Sequence, residues 1–302
     1  MKALLIINAN AGRMRRLPPT YPADLLAAQG LPTETFLARS STDALAAARG
    51  ALPDESYDRL IIAGGDGTIN SILPVFAEAA RAGTRRLPLA ILPVGSVNVL
   101  ARELHIPRAL PAAIQIAAHG SPRPIDLGLL NGQPFVTMAG LGFDAAAVHE
   151  VGAGIKRQIG VFSYVYNGLR LLLTYPARQF HITCDEQRLE MKSWQMVITN
   201  ASSYTYRWSF APQARIDDNQ LEVCLLPERG PLGRLKQTAA ILLNRPDWAP
   251  VICLPGRQIE LQIEPEVAVQ LDGDPFPAVS QAKIEVLRHG LEIIAPLKEQ
   301  PA

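Results

Sequence analysis

The chain has 302 residues, enough for two domains of ordinary size. Its 48% hydrophobic and 19% charged content fits a packed globular protein and excludes a disordered one. A net charge of +1 removes the global electrostatic case for nucleic-acid binding.

The first strand signal is Lys2–Ile7, an apolar run too short for a signal peptide. Pro22–Gln29 has a helical pattern, Thr33–Ala38 is strand-like, and Ser41–Arg49 is helical with Ser41 or Thr42 as the expected N-cap. Arg59–Ala63 is the third strand, Thr68–Ala82 a helix, Pro88–Pro93 a fourth strand, and Asn98–Leu104 opens another helix. Strands alternating with helices predict a parallel sheet covered on both faces. After Pro124 strands dominate: Pro134–Ala139, Gln179–Cys184, Ser193–Thr199, Leu221–Leu226, Ile259–Ile263, Val267–Leu271 and Lys283–Leu287. Val161–Leu173 and Leu232–Leu243 are the helical stretches among them. This density of strands and turns predicts an antiparallel sandwich. The expected domains are 1–125, α/β, and 126–287, a β-sandwich, with 288–302 a candidate to return to the first.

Cys184, Cys224 and Cys253 are far apart and show neither Cys-x-x-Cys nor zinc spacing. They read as buried thiols of a reducing compartment. No stretch approaches the ~20 apolar residues that span a bilayer, so any membrane contact is expected to be peripheral. The basic clusters Arg13-Met14-Arg15-Arg16 and Lys156-Arg157 offer local anionic contacts or are solvated loops.

The most informative run is Gly64-Gly65-Asp66-Gly67-Thr68, which directly follows the third strand. Glycines permit close backbone approach to a ligand, and free N–H groups at a helix N-terminus suit phosphate. Asp66 places a carboxylate inside that turn, which is repulsive to phosphate unless a cation or a reacting hydroxyl intervenes. The pattern therefore suggests phosphoryl transfer. It lacks the third glycine of a dinucleotide turn, whose position is Asn70, and the chain has no Gly-Lys pair for a Walker loop. The plain alternative is an ordinary strand-to-helix turn. Asn8, Gly64–Thr68 and Gly95-Ser96 all fall at strand carboxyl ends, where open α/β sheets bind ligands.

These motifs, in order, resemble the bacterial diacylglycerol kinase and lipid kinase family, which includes the sphingosine kinases. The resemblance runs over nearly the whole chain: Asn8-Ala9-Asn10-Ala11-Gly12, Gly64–Thr68, Leu92–Asn98, Ile125-Asp126-Leu127-Gly128, Gly140-Leu141-Gly142-Phe143-Asp144, Ala211-Pro212 through Asp217-Asp218, and Leu271-Asp272-Gly273-Asp274. It implies an α/β N-terminal domain like that of NAD kinases and phosphofructokinases, a mostly-β C-terminal sandwich, and an interdomain cleft. ATP would bind the first domain through Asn8, Gly64, Gly65, Asp66, Gly67, Thr68, Asn70, Ser96 and Asn98, Asn98 also being a candidate N-cap. Asp274 aligns with the family's proposed general base, normally Glu, and competes with a plain hairpin-turn role. Asp66 is the second catalytic carboxylate, for Mg²⁺ or for positioning the hydroxyl. A further Mg²⁺ site would use Asp218 with the backbone carbonyls of Arg215 and Gln220. Asn219 stands there for the usual Gly, Gln220 for Leu, and Ser71 for a Glu common after the glycine motif.

The resemblance thus implies ATP and Mg²⁺ as cofactors and a lipid alcohol as acceptor. It implies cytoplasmic placement peripheral to the inner membrane face and leaves a homodimer open. Two alternatives stand beside it: a soluble-substrate kinase of the NAD kinase type, and a non-catalytic nucleotide- or lipid-binding module. Tyr204, Tyr206, Trp208 and Phe210, beside Arg207, are either a membrane-docking cluster or sandwich core. The region from Leu232 to Pro250, with Trp248, is either a lip over the site or a packed surface helix.

Overall fold

The computed structural model describes residues 1–12, 14, 17–152, 161–202, 209–243, 245, 248 and 251–296. The chain forms two compact units, Met1–Leu127 with Leu287–Ala302, and Gly128–Val286.

The first unit runs β1 (Ala3–Asn8), α1 (Tyr21–Ala28), β2 (Thr33–Ala38), α2 (Ser41–Ala51), β3 (Arg59–Gly64), α3 (Asp66–Ala82), β4 (Leu89–Pro93), α4 (Val99–Glu103), α5 (Leu110–His119) and the start of β5 (Pro122–Leu130). β2, β1, β3 and β4 lie side by side, all parallel. Leu60–Ala63 and Leu89–Leu92 are buried throughout, as strands covered on both faces must be. Ile7 pairs with Ala63, and Gly64 with Pro93, so these strands end at one edge. Helix α3 buries Ile69, Ile72, Leu73 and Phe76 along one stripe and stops at Gly83, whose φ of 63° suits only a glycine-like C-cap.

The N-cap of α2 is Ser40, not Ser41 or Thr42. Its hydroxyl accepts from the Asp43 amide at 3.1 Å, and the Asp43 carboxylate accepts from the Ser40 amide at 3.1 Å, a closed capping box. The apolar spacing fixed the helix but not which of three hydroxyl residues turns outward. Helix α5 was not foreseen either.

The second unit continues with β6 (Gln133–Phe135), β7 (Met138–Gly142), α6 (Phe143–Gly152), α7 (Val161–Thr174), β8 (Arg178–Cys184), β9 (Gln187–Thr199), β10 (Leu221–Pro227), α8 (Gly230–Leu242), β11 (Ile252–Gly256), β12 (Gln258–Leu271) and β13 (Asp274–Ile294). The pairs β5–β6, β7–β9, β7–β12, β8–β9, β8–β12, β9–β10, β10–β11 and β12–β13 are antiparallel. The long strands β9 and β12 each pair with both β7 and β8 and so close a ring. β10 and β11 extend it from β9, and β13 from β12. Inside lie Phe135, Phe180, Met196, Ile198, Leu261 and their neighbours. This is the mostly-β sandwich expected after Pro124. Helix α6, which grows directly out of the Gly140–Asp144 motif, was not foreseen.

Helix α8 is a packed helix. Arg234 is buried and donates to Glu228 Oε2 at 3.0 Å, and buried Gln237 accepts from the Trp194 indole at 2.7 Å. Where β13 re-enters the first unit, the His289 amide donates to buried Asp126 at 2.7 Å. Ile293 and Ile294 then pair parallel with β4. No helix among the described residues is long and apolar enough to cross a membrane.

The cysteine expectation fails for two of the three. Cys224 and Cys253 face each other in the β10–β11 register with Cα atoms 4.1 Å apart and form a disulfide, leaving buried Cys184 as the thiol. Spacing along the chain cannot show which residues an antiparallel register sets opposite one another. The pair also removes the support that cysteine usage gave to a reducing compartment. Alkylation of protein purified without reductant and denatured should add one adduct, and three after reduction. Three adducts without reduction would overturn the pairing.

Candidate active site

Asn8 ends β1, and its side-chain amide donates to the Thr68 hydroxyl on α3 at 2.7 Å. Its Oδ1 accepts from the Asn10 amide at 2.8 Å, which turns the chain back at the edge. Thr68 is buried beneath Gly64, where an added Cβ would lie 2.8 Å from the threonine side chain. Helix α3 begins at Asp66, two residues before the expected start, with Gly65 as its N-cap.

The turn after β4 presses onto this one. A Cβ on Gly95 would come within 2.4 Å of the Gly65 Cα, so the two backbones meet where no side chain fits. Val94 donates its amide to the Gly64 carbonyl at 3.1 Å. Buried Asn98 completes the latch: its Oδ1 accepts from the Gly95 amide at 3.1 Å and its Nδ2 donates to the Gly95 carbonyl at 2.8 Å. Asn98 stands at the N-cap position of α4 with φ 56°, yet its side chain caps nothing. Asp66 reaches that helix start instead, accepting from the Leu100 amide at 3.4 Å. Burial pushes the Asp66 carboxyl above its ordinary range, and the amides of Leu100, Val99 and Asn98 oppose the shift.

Gly67 is exposed in the first turn of α3, Ser96 is exposed on the turn after β4, and Asn70 is half-buried further along α3. The Ser71 hydroxyl donates to the Thr68 carbonyl at 2.7 Å, within its own helix. The first unit thus gathers Asn8, Gly64 to Asn70 and Gly95 to Asn98 at one strand edge, with the positive end of α3 among them. Such an edge can bind phosphate.

In the second unit, β12 and β13 meet in a two-residue turn. Asp272 (φ 49°) and Gly273 (φ 88°) are its central residues, as a type I′ hairpin demands. Asp274 is the exposed first residue of β13. The turn is anchored by Asp272, which sequence reasoning did not single out. Its carboxylate accepts from the amides of Val136 (2.7 Å), Thr137 (2.7 Å) and Met138 (2.8 Å), and from the Thr137 hydroxyl. Burial pushes this carboxyl up too, against the Thr137 hydroxyl and those amides. The signal was the first Asp of Asp-Gly-Asp, but its partners lie more than a hundred residues away in sequence.

In the loop 214–220, Asn219 adopts φ 61° and Asp218 Oδ1 accepts from the Gln220 amide at 3.1 Å. Arg215 pairs with Asp217 at 3.6 Å. The Glu222 carboxyl just beyond is pushed up by burial and, further, by the Asp218 charge. Tyr204, Tyr206, Arg207 and Trp208 lie outside the described residues, as do Arg13, Arg15, Arg16, Lys156 and Arg157. Half-buried Phe210 packs against the cluster that holds Cys224.

Two family models cover the chain: the diacylglycerol kinase catalytic domain over residues 2–130, and the YegS C-terminal NAD kinase beta sandwich-like domain over 137–295. The diacylglycerol kinase of Bacillus subtilis (strain 168) is 26% identical over 88% of this chain and 87% of its own. That of Staphylococcus epidermidis is 26% identical over 98% and 92%. An uncharacterized protein of Synechocystis sp. is 28% identical over 81% of this chain, which spans 57% of that relative's length. The solved structure of a diacylglycerol kinase from Bacillus anthracis shares the fold, with a TM-score of 0.73 at 20% identity over 98% of this chain and 97% of its own. Fold and matches together define a phosphotransferase with an alcohol group as acceptor. The chain belongs to the bacterial diacylglycerol kinase and lipid kinase family.

The raised Asp66 carboxyl has a measurable consequence. Between its ordinary value of 3.8 and its folded value, the folded chain holds this proton more tightly than the unfolded chain. Asp66 therefore subtracts stability as pH rises through that window. In urea unfolding, Asp66→Asn should gain on the wild type as pH climbs above the ordinary value of 3.8. Parallel stability curves would show that the shift is absent.

Proposed function

We propose that the protein is an ATP-dependent lipid kinase that phosphorylates the hydroxyl of a diacylglycerol-like or other amphipathic lipid alcohol. The observation that carries this reading is the joined pair of glycine turns at the strand edge of the first unit, in a chain whose relatives are named diacylglycerol kinases.

On this reading Gly64, Gly65, Gly67 and Thr68 cradle the phosphates, Asn8 closes the nucleotide site by orienting Thr68, and Asn70, Ser96 and Asn98 complete it. The lipid hydroxyl oxygen bonds to the γ-phosphorus while the bond to the departing ADP oxygen breaks. Asp274 accepts the hydroxyl proton. Asp274 is one methylene shorter than the usual Glu, so the backbone of its turn must stand closer or a water must intervene.

The donor set fits a Mg²⁺ that arrives on the nucleotide. Among the described residues no three His, Cys, Asp or Glu side chains gather as a metal cluster. Asp66 supplies one carboxylate, and Mg²⁺ commonly takes one or two plus phosphate oxygens. When bound, Mg²⁺ neutralises charge on the transferring phosphoryl group. Asp218, with the carbonyls of Arg215 and Gln220, would hold a second ion weakly. Its Oδ1 already receives the Gln220 amide. A lipid acceptor also brings peripheral contact with the inner membrane face from a cytoplasmic protein.

Purified protein with Mg²⁺ and γ-labelled ATP should label one lipid of a panel. Asp274→Asn should lower the rate about 10²- to 10⁴-fold, the usual worth of a general base, and Asp66→Asn should also lower it. ATP binding with no label in any lipid would remove the lipid kinase reading and direct the search to soluble acceptors.

A further inference from the structure

The side chain of Asp274 leaves the backbone just after a turn that a second group holds from below. Gln270, 1% exposed on β12, accepts the Gly273 amide on its Oε1 at 2.6 Å. An amide N–H can only donate, so this contact fixes which end of the Gln270 side chain is oxygen. The other end, Nε2, donates to Asp144 Oδ2 at 3.2 Å. Asp144 is held in turn: its Oδ1 accepts from the Ala145 amide at 2.6 Å, and its own amide donates to Gln195 Oε1 at 2.9 Å. Gln195 is buried and donates onward to the Met196 carbonyl at 2.9 Å.

Gly140 explains itself against this pair. A Cβ there would lie 2.1 Å from Asp144 Oδ2 and 2.5 Å from Gln270 Nε2. Only a glycine leaves room for the two to meet. The Gly140–Asp144 motif, which the family reading carried without a role, thus ends on the residue that holds Gln270.

The Gly273 amide belongs to the central peptide of the turn. Flipping that peptide would convert type I′ into type II′, which prefers glycine at the position Asp272 occupies. Gln270 holds this peptide in one orientation, while Asp272 fixes the turn to the segment 136–138. Burying two side-chain amides, with a half-buried carboxylate between them, is costly unless the groups are paired. Such a network is poor value as packing, and what it specifies is a direction.

We infer that Gln270, held by Asp144 in the space left by Gly140, is a positioning residue for Asp274. The inference rests on the reading of Asp274 as the proton acceptor. Gln270→Met keeps the bulk and removes both hydrogen bonds. It should lower kcat about 10- to 100-fold, the scale of an ~1 Å misplacement, with KM for ATP within about twofold of the wild type. In an Asp274→Asn background the same substitution should change kcat less than about twofold, because the group it positions is gone. Amide exchange in the peptide 270–276 should quicken in Gln270→Met.

Gln270→Glu is the rescue. Burial and the neighbouring Asp144 raise its pKa, and while protonated its carboxyl offers the same acceptor and donor. Its kcat should stand near the wild type at low pH and fall away from it as pH rises. Should Gln270→Met not fold, this pH profile carries the test.

Equal losses from Gln270→Met with and without Asp274 would overturn the inference, as would a wild-type kcat. Full activity in Asp274→Asn would instead remove the reading of Asp274 on which it rests.

Discussion

Everything at the first unit's strand edge depends on two backbones that touch. Gly65 and Gly95 meet at a separation that excludes a Cβ on Gly95. Because they meet, the turns after β3 and β4 act as one surface. Asn98 locks the second turn by hydrogen-bonding both sides of Gly95, and Asn8 locks the first through Thr68. Parallel register brings the strand ends level, so the latch needs no long loop to span it. The N-terminal turn of α3, the positive end of its dipole, is then held among these latched neighbours. That is the preorganisation an anion site requires, with little left to reorganise when charge arrives.

The second unit solves a different problem with buried hydrogen bonds. A non-glycine residue at positive φ costs roughly 1–2 kcal/mol, and Asp272 adopts φ 49°. Its own carboxylate offsets that cost by taking three amides and a hydroxyl from residues 136–138. Asn200 and Thr199 hold the same segment from its carbonyl side, at 2.9 Å to Val136 and 3.1 Å to Thr137. The hairpin is therefore fixed to the sheet by its own first residue, and Asp274 follows on a backbone with little freedom. Asp-Gly-Asp as a good turn sequence and Asp274 as a functional group are compatible, since the turn is what aims the side chain.

The sequence was most legible where physics is local. Apolar runs of five or six residues ending in Asn8, Gly64 and Pro93 are strands because both faces are buried, and the polar turns follow at once. The glycine run showed where a backbone needs room. What stayed hidden was every pairing across distance. Nothing local says that Asp66 would reach the start of α4, thirty-four residues on. Cys224 and Cys253 looked like separate thiols until register set them opposite one another. Asp272 and Gln270 draw their partners from Val136 to Met138 and from Asp144, distances at which pattern is silent. The motif Gly140–Asp144 was visible only as a likeness, and its physical reason required three strands to come together.

Amide hydrogen exchange with and without ATP and Mg²⁺ tests most directly whether the joined glycine turns are the phosphate site. Slower exchange at residues 64–70 and 94–100 on adding nucleotide, with the rest of the first unit little changed, is the expected result. Nucleotide binding that leaves both turns exchanging as before would contradict it.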